Sequence, residues 1–387
     1  MNIFKKIILL SYISVASISA VMITPALPIL KQSFHLSDSQ LQWVVSLFLI
    51  GYIVGQLIYG PVANRIGTIK AIRLGFTINI IGIILCLVGA WQMNYMLLLF
   101  GRLITALGAA AGLACTFMLI KQLLAQHEAK QALSHSLLSF SIGIGLAVAI
   151  GGFLTQYIHW QYCFWVLLVH GSLVLASTWL FSSQSKVIKT GMLQLIDGYR
   201  HALQSKTLIT YSFVVGLMCV VTYCSSAVAP LISTSFLHLN PAQYGLWNLV
   251  NIVGMFASGL IGAKLLKHYA MNKIIYSGMI GFLLAVLSLL LMWLSGMPSP
   301  LWFFISTMLL YFFSGIIFPP AAFYATHAIE DTASASSMMS FINMSCGTIA
   351  VVIVGHLPFS FLLDLVIILG GFGGFVILLR LWVKPQK

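Results

Sequence analysis

The chain has 387 residues, 60% of them hydrophobic and only 6% charged, against about 25% charged in an ordinary water-soluble domain, so lipid must solvate most of its surface. The formal charge of +13 would suit an anionic partner, but the basic residues stand singly or in twos and threes between apolar runs, which excludes a nucleic-acid patch. Cys86, Cys115, Cys163, Cys219, Cys224 and Cys346 each fall inside an apolar run without a C-x-x-C pair, which argues against a disulfide framework, a metal site or a bound cofactor.

Lys5 and Lys6 precede an apolar stretch from Ile7 to Leu30. It is too long for the apolar region of a signal peptide and reads as a retained first helix. A bilayer core of about 30 Å needs about 20 apolar residues in a helix. Twelve segments meet this: 7–30, 39–62, 69–91, 96–120, 133–157, 160–182, 207–234, 242–266, 273–295, 300–325, 333–356 and 361–382. Backbone groups in lipid must pair within their own segment, so each is predicted to be helical. Of the 19 Lys and Arg, Lys31 falls in an outer loop and Arg102 inside a span. The other seventeen gather on one side if both termini are cytoplasmic, as the positive-inside rule requires. The expected address is the bacterial inner membrane, as a multi-pass monomer.

The longest polar stretch lies between the sixth and seventh spans. The predicted organisation is a six-helix bundle over 1–182, a cytoplasmic linker over 183–206 and a second six-helix bundle over 207–387, with Met192–Leu203 as a short helix on the membrane surface. The halves echo each other. Pro28, Ser33-Phe34, Leu36-Ser37 and Gln40 return about 202 residues later as Pro230, Ser235-Phe236, Leu239-Asn240 and Gln243, and Lys70 and Gly75 return as Lys273 and Gly278. Ser37 and Asn240 are suited to cap the second and eighth spans. Pro25, Pro28, Pro230, Pro319 and Pro320 are expected to bend their helices.

Five places carry a resemblance. They are Pro25-Ala-Leu-Pro28 in the first span and Gly55-Gln-Leu-Ile-Tyr-Gly60-Pro61-Val-Ala-Asn64-Arg65-Ile-Gly67 between the second and third. Arg102 with Gly108 lies in the fourth, and Gly143-x3-Ala147-Val148-x2-Gly151-Gly152 in the fifth. Thr332-Ala-Ser-Ala335 opens the eleventh, after Phe318-Pro319-Pro320-Ala-Ala322 in the tenth. Together they resemble the major facilitator superfamily, and most closely its twelve-helix drug:proton antiporters of the bicyclomycin-resistance type. Asn64 stands where that family usually has Asp, Val148 where it has Pro, and Val21 where close relatives have Asp. The resemblance implies an all-α membrane protein in two pseudo-symmetric bundles that rock about a central cavity. It implies a transporter and not an enzyme, with a small-molecule substrate, the lipid bilayer and protons as partners. The expected direction is export of drug-like or carboxylate-bearing molecules such as siderophores. The alternative is import of a small nutrient such as an amino acid or organic acid.

Arg102 is the leading candidate for substrate binding or coupling, because a charge inside a span normally faces a cavity or a partner. The alternative is that it snorkels outward. None of the six acidic residues falls at mid-membrane, so the expected cargo is neutral, zwitterionic or anionic, with Arg102 as the attracting charge. His170 is a candidate proton relay, or a satisfied core histidine. By family analogy the cavity lining draws on Gln42, Tyr52, Gln56, Tyr223, Asn248, Asn251 and Asn343, with Trp43, Trp247, Tyr311 and Ser345. Gating is expected from Asn64, Arg65, Gly67 and Lys70, with Arg65 or Lys70 pairing to Glu330 or Asp331, and from the small face of Gly143, Gly151 and Gly152. Asp364 is expected as a solvated acid at a helix end.

Overall fold

The computed structural model describes residues 3–124, 126–181 and 198–382. The predicted surface helix over Met192–Leu203 lies partly outside them; residues 198–202 are helical. Among the described residues the structure is entirely helical. The helices are α1 (Ile3–Val21), α2 (Leu27–Ser33), α3 (Asp38–Ile66), α4 (Thr68–Trp91), α5 (Tyr95–Leu123), α6 (Gln126–Tyr157), α7 (Tyr162–Ser177), α8 (Lys206–Ser235), α9 (Pro241–Trp247), α10 (Leu249–His268), α11 (Met271–Ser295), α12 (Pro300–Thr326), α13 (Thr332–Val354) and α14 (Phe361–Trp382). Among the described residues eleven helical stretches are long and apolar enough to cross a membrane, and Ser141–Tyr157 in α6 is a shorter apolar helix. The chain divides into two compact units, Met1–Met192 and Leu193–Lys387.

The polar ends of the spans form as their sequences dictate. Ser37 Oγ accepts the Gln40 amide at 3.3 Å, and Gln40 Oε1 accepts the Ser37 amide at 2.9 Å. Asn240 and Gln243 repeat this box at 2.8 and 3.0 Å. Each box is preceded by a histidine with positive φ, His35 at 52° and His238 at 54°, so the repeat extends to a backbone conformation that few residue types adopt. In unit 1, α5 is the central element. Small residues let it approach α3 and α4: a Cβ on Gly51 would lie 2.5 Å from the Leu103 carbonyl, and one on Gly75 would lie 2.9 Å from the Gly108 carbonyl. In unit 2 the corresponding centre is α8, whose apolar window is 94% buried against α12, α13 and α14.

The prolines do not act alike. The first span is interrupted: α1 stops at Val21, a 3-10 turn runs Thr24–Ala26, and α2 resumes at Leu27. Pro230, Pro319 and Pro320 instead sit inside continuous helices, where each still removes one amide donor from the ladder. Pro25 and Pro28 lie three apart and remove the amide donors for two carbonyls of adjacent turns, Val21 and Thr24. In the eighth span α9 and α10 meet at a single junction residue, Asn248, whose backbone stays in the right-handed helical region at φ −63° and ψ −19°.

Candidate functional site

Unit 1 presents a physical problem at the α1 break. When a helix ends, its last carbonyls lose their amide partners, and within a membrane water cannot replace them. Arg102 supplies the donors. Its Nη1 donates to the Ser19 carbonyl at 2.6 Å and its Nη2 to the Ala20 carbonyl at 3.0 Å. Its Nε reaches the Val44 carbonyl of α3 at 3.1 Å, and its guanidinium carbon lies 4.4 Å from the centre of the Phe48 ring. The next carbonyl, Val21, is stripped of its donor by Pro25 and accepts the Thr24 hydroxyl at 2.9 Å. A capped helix C-terminus carries partial negative charge, so the cation is compensated without a carboxylate. Arg102 is 0% exposed. It neither points at open space nor snorkels: in this structure its donors are committed to carbonyls of α1 and α3, so that it joins those helices to α5.

The small face of α6 presses on the same break. A Cβ on Gly143 would lie 2.8 Å from Ser17 Oγ, and one on Gly151 would overlap the Met22 carbonyl. Ala147, Val148, Gly151 and Gly152 are all buried. Gln42 and Tyr52 are buried on α3, with Tyr52 stacked on Phe48 at 6.4 Å. Gln56 is half-buried one turn further on.

Unit 2 gathers amides at the α9–α10 junction. Asn251 Nδ2 donates to Asn248 Oδ1 at 2.9 Å, and the Thr307 hydroxyl of α12 donates to Asn251 Oδ1 at 2.8 Å. All three are buried, and Trp247 stacks on Phe304 at 5.6 Å beside them. Buried hydrogen-bonding side chains gathered within a span are what a polar cargo or ion needs inside a membrane. Asn343 is separate from this group: its Oδ1 accepts the Cys219 thiol at 3.7 Å, bridging α8 to α13. Tyr223 is buried on α8, its ring edge close to Gly347.

The candidate gating residues belong to two units. In unit 1, Arg65 and Lys70 are exposed and Asn64 is half-buried. Gly67 takes φ 91°, a value that disfavours any side chain, so it turns α3 into α4. In unit 2, Glu330 and Asp331 are exposed, and Asp331 Oδ1 accepts the Ser334 amide at 3.1 Å at the start of α13. His170 is half-buried on α7.

Asp364 contradicts its expectation. It lies in the first turn of α14 yet is 1% exposed. Sequence reading also missed Thr24 and Thr307, whose hydroxyls matter only once the α1 break and the α9–α10 junction exist. Arg380 was read as a topology signal, but it is buried against Tyr211 and Tyr276.

Known proteins place this architecture. A transporter of Rickettsia bellii described as uncharacterized is 24% identical over 293 residues, covering 72% of this chain and 70% of that one. The efflux pump MMF1 of Mycosarcoma maydis is 25% identical over 189 residues, and the transporter phiD of a fungal species is 26% identical over 179. The matched stretches span 30% and 26% of those two fungal proteins. In fold, the chain is similar to the D-xylose-proton symporter, with TM-score 0.76 at 15% identity over 99% of this chain and 98% of that one. It is also similar to the E. coli fucose:proton symporter, with TM-score 0.65 at 16% identity over 99% of both chains. The family model of the Major Facilitator Superfamily matches residues 9–355, and the chain belongs to that superfamily.

Proposed function

We propose that the protein is a secondary active exporter that recognises its cargo by hydrogen bonds instead of ion pairs. The observation that carries this is how the spans distribute charge. The one cation deep within a described span, Arg102, is committed to backbone carbonyls. Asp38 and Asp364 stand in first turns, and Glu330 and Asp331 precede α13. In this reading the side chains that recognise cargo are uncharged: the amides and hydroxyl of Asn248, Asn251 and Thr307 in unit 2, and Gln42, Tyr52 and Gln56 in unit 1. Such a set suits a neutral or zwitterionic molecule and gives a lipophilic cation nothing to pair with. Export is favoured by the likeness to fungal proteins, one of them described as an efflux pump, and by the motif around Gly143 and Gly151.

In this reading the chain crosses the bacterial inner membrane twelve times with both ends in the cytoplasm, works as a monomer, and alternates access by rocking its halves. It belongs to the bicyclomycin-resistance type of drug:proton antiporter. Arg65 or Lys70 latches to Glu330 or Asp331 in one state. Protons drive it, and His170 on α7, whose side-chain type ordinarily changes charge near neutral pH, senses them. A second reading, nutrient import, is favoured by Val148, which keeps α6 helical where drug antiporters have Pro. Everted vesicles separate the two: energised accumulation of neutral amphipathic compounds supports export, and accumulation only in right-side-out vesicles supports import.

A further inference from the structure

Arg380 stands two residues before the end of α14, at the lysine-rich end of unit 2 that also carries Lys206, Lys264, Lys267 and Lys273. It is 7% exposed. Its Nη2 donates to Asn272 Oδ1 at 3.1 Å. Its guanidinium carbon lies 4.4 Å from the Tyr276 ring centre and 5.6 Å from that of Tyr211. Tyr211 in turn stacks on Tyr324 at 4.6 Å. The first turns of α8 and α11 and the last turns of α12 and α14 thus build an aromatic cage around one cation. Among the described residues Nη1 has no hydrogen-bond partner and no carboxylate pairs with Arg380, while the Tyr211 hydroxyl interacts elsewhere on the guanidinium.

Unit 1 supplies the contrast. Arg73 on α4 sits 4.8 Å over the Trp179 ring, and its Nε and Nη2 donate to the Thr178 hydroxyl and carbonyl, both at 3.2 Å. There the cation has its acceptors. At the repeat offset of 203, Arg73 corresponds to Tyr276, so the cation of unit 2 has moved to the partner helix and faces a ring where unit 1 has a carbonyl. An aromatic face attracts a guanidinium but accepts none of its in-plane N–H bonds. A buried cation left one acceptor short wants an anionic oxygen.

We propose that this cage binds the phosphate of an anionic phospholipid headgroup, held by Arg380 with the Tyr276 and Tyr211 rings as walls. The depth fits: all four helix ends lie at one level, where aromatic rings and basic side chains meet headgroups. The bilayer offers phosphate there at a concentration no soluble ligand matches.

The test uses full-length protein in a phosphate-free detergent, titrated with dioctanoyl phosphatidylglycerol and read by native mass spectrometry. Wild type is expected to take up one tight lipid. Arg380→Gln is expected to bind it about tenfold more weakly or worse, as for loss of a charge-assisted bond. Arg73→Gln, whose cation already has acceptors, is expected to bind as wild type does. Should Arg380→Gln not fold, Arg380→Lys keeps the charge without the planar fork and is expected to weaken binding about threefold. Equal lipid affinity in wild type and whichever Arg380 variant folds overturns the site. Inorganic phosphate binding as tightly as the lipid overturns the lipid source.

Discussion

If Arg102 braces the interrupted first span, its loss must be felt as instability before it is felt as a change in cargo. Arg102→Met removes three donors from the Ser19, Ala20 and Val44 carbonyls. Each carbonyl left without a partner in a dry interior costs about 1–3 kcal/mol. Against this stands the relief of no longer holding a cation out of water, worth several kcal/mol. The balance is a net loss of about 2–4 kcal/mol. Arg102→Lys is expected to be no milder. It keeps the buried charge, yet a compact ammonium cannot reach acceptors on two helices at once as the planar fork does. The six cysteines are free and buried, so a fluorogenic maleimide reports unfolding directly. Both variants should unfold at clearly lower temperature in detergent. A wild-type unfolding temperature together with lost transport would refute the brace and return Arg102 to the substrate.

Other consequences can be checked in the same preparations. Gly151→Leu places side-chain atoms where the Met22 carbonyl stands and should abolish transport or expression, whereas Gly371→Ala, with nothing within 4 Å of its new methyl, should be silent in both assays. Asn251→Leu breaks the links to Asn248 and Thr307; it should raise the apparent Km for cargo at least tenfold while costing about 1–3 kcal/mol of stability. His170→Gln should flatten the dependence of transport on an imposed pH gradient and leave downhill flux intact; an unchanged pH profile removes His170 from coupling. Gly67→Ala forces a side chain onto φ 91° and should destabilise by about 1–2 kcal/mol, visible as a lower unfolding temperature.

The spans were legible because lipid imposes a simple rule: twenty apolar residues and no unpaired backbone. The capping boxes at Ser37 and Asn240 were legible too, since they depend on residues three apart. The fate of each proline was not. Pro25 stands at an interruption and Pro230 inside a continuous helix, a difference that residue identity does not carry. Arg102 was visible as an oddity, but its partners are carbonyls some eighty residues away in sequence, and backbone acceptors leave no trace in residue identity. The Asn248 junction was hidden for the same reason, as an asparagine inside an apolar run looks alike whether it joins two helical stretches or lies within one. Asp364 misled because proximity to a helix end suggests water, and only packing reveals that the end is covered.

The interrupted first span and the cation that closes it are two halves of one commitment. A descendant that replaced Pro25 and straightened the helix would hand the Ser19 and Ala20 carbonyls back to their own amides, stranding a guanidinium in oil. One that discarded the arginine first would leave a frayed end with nothing to close it. Neither step is tolerable alone, so the two positions should change together across diverging lineages or stay fixed together, a form of molecular entrenchment written into a single turn of chain.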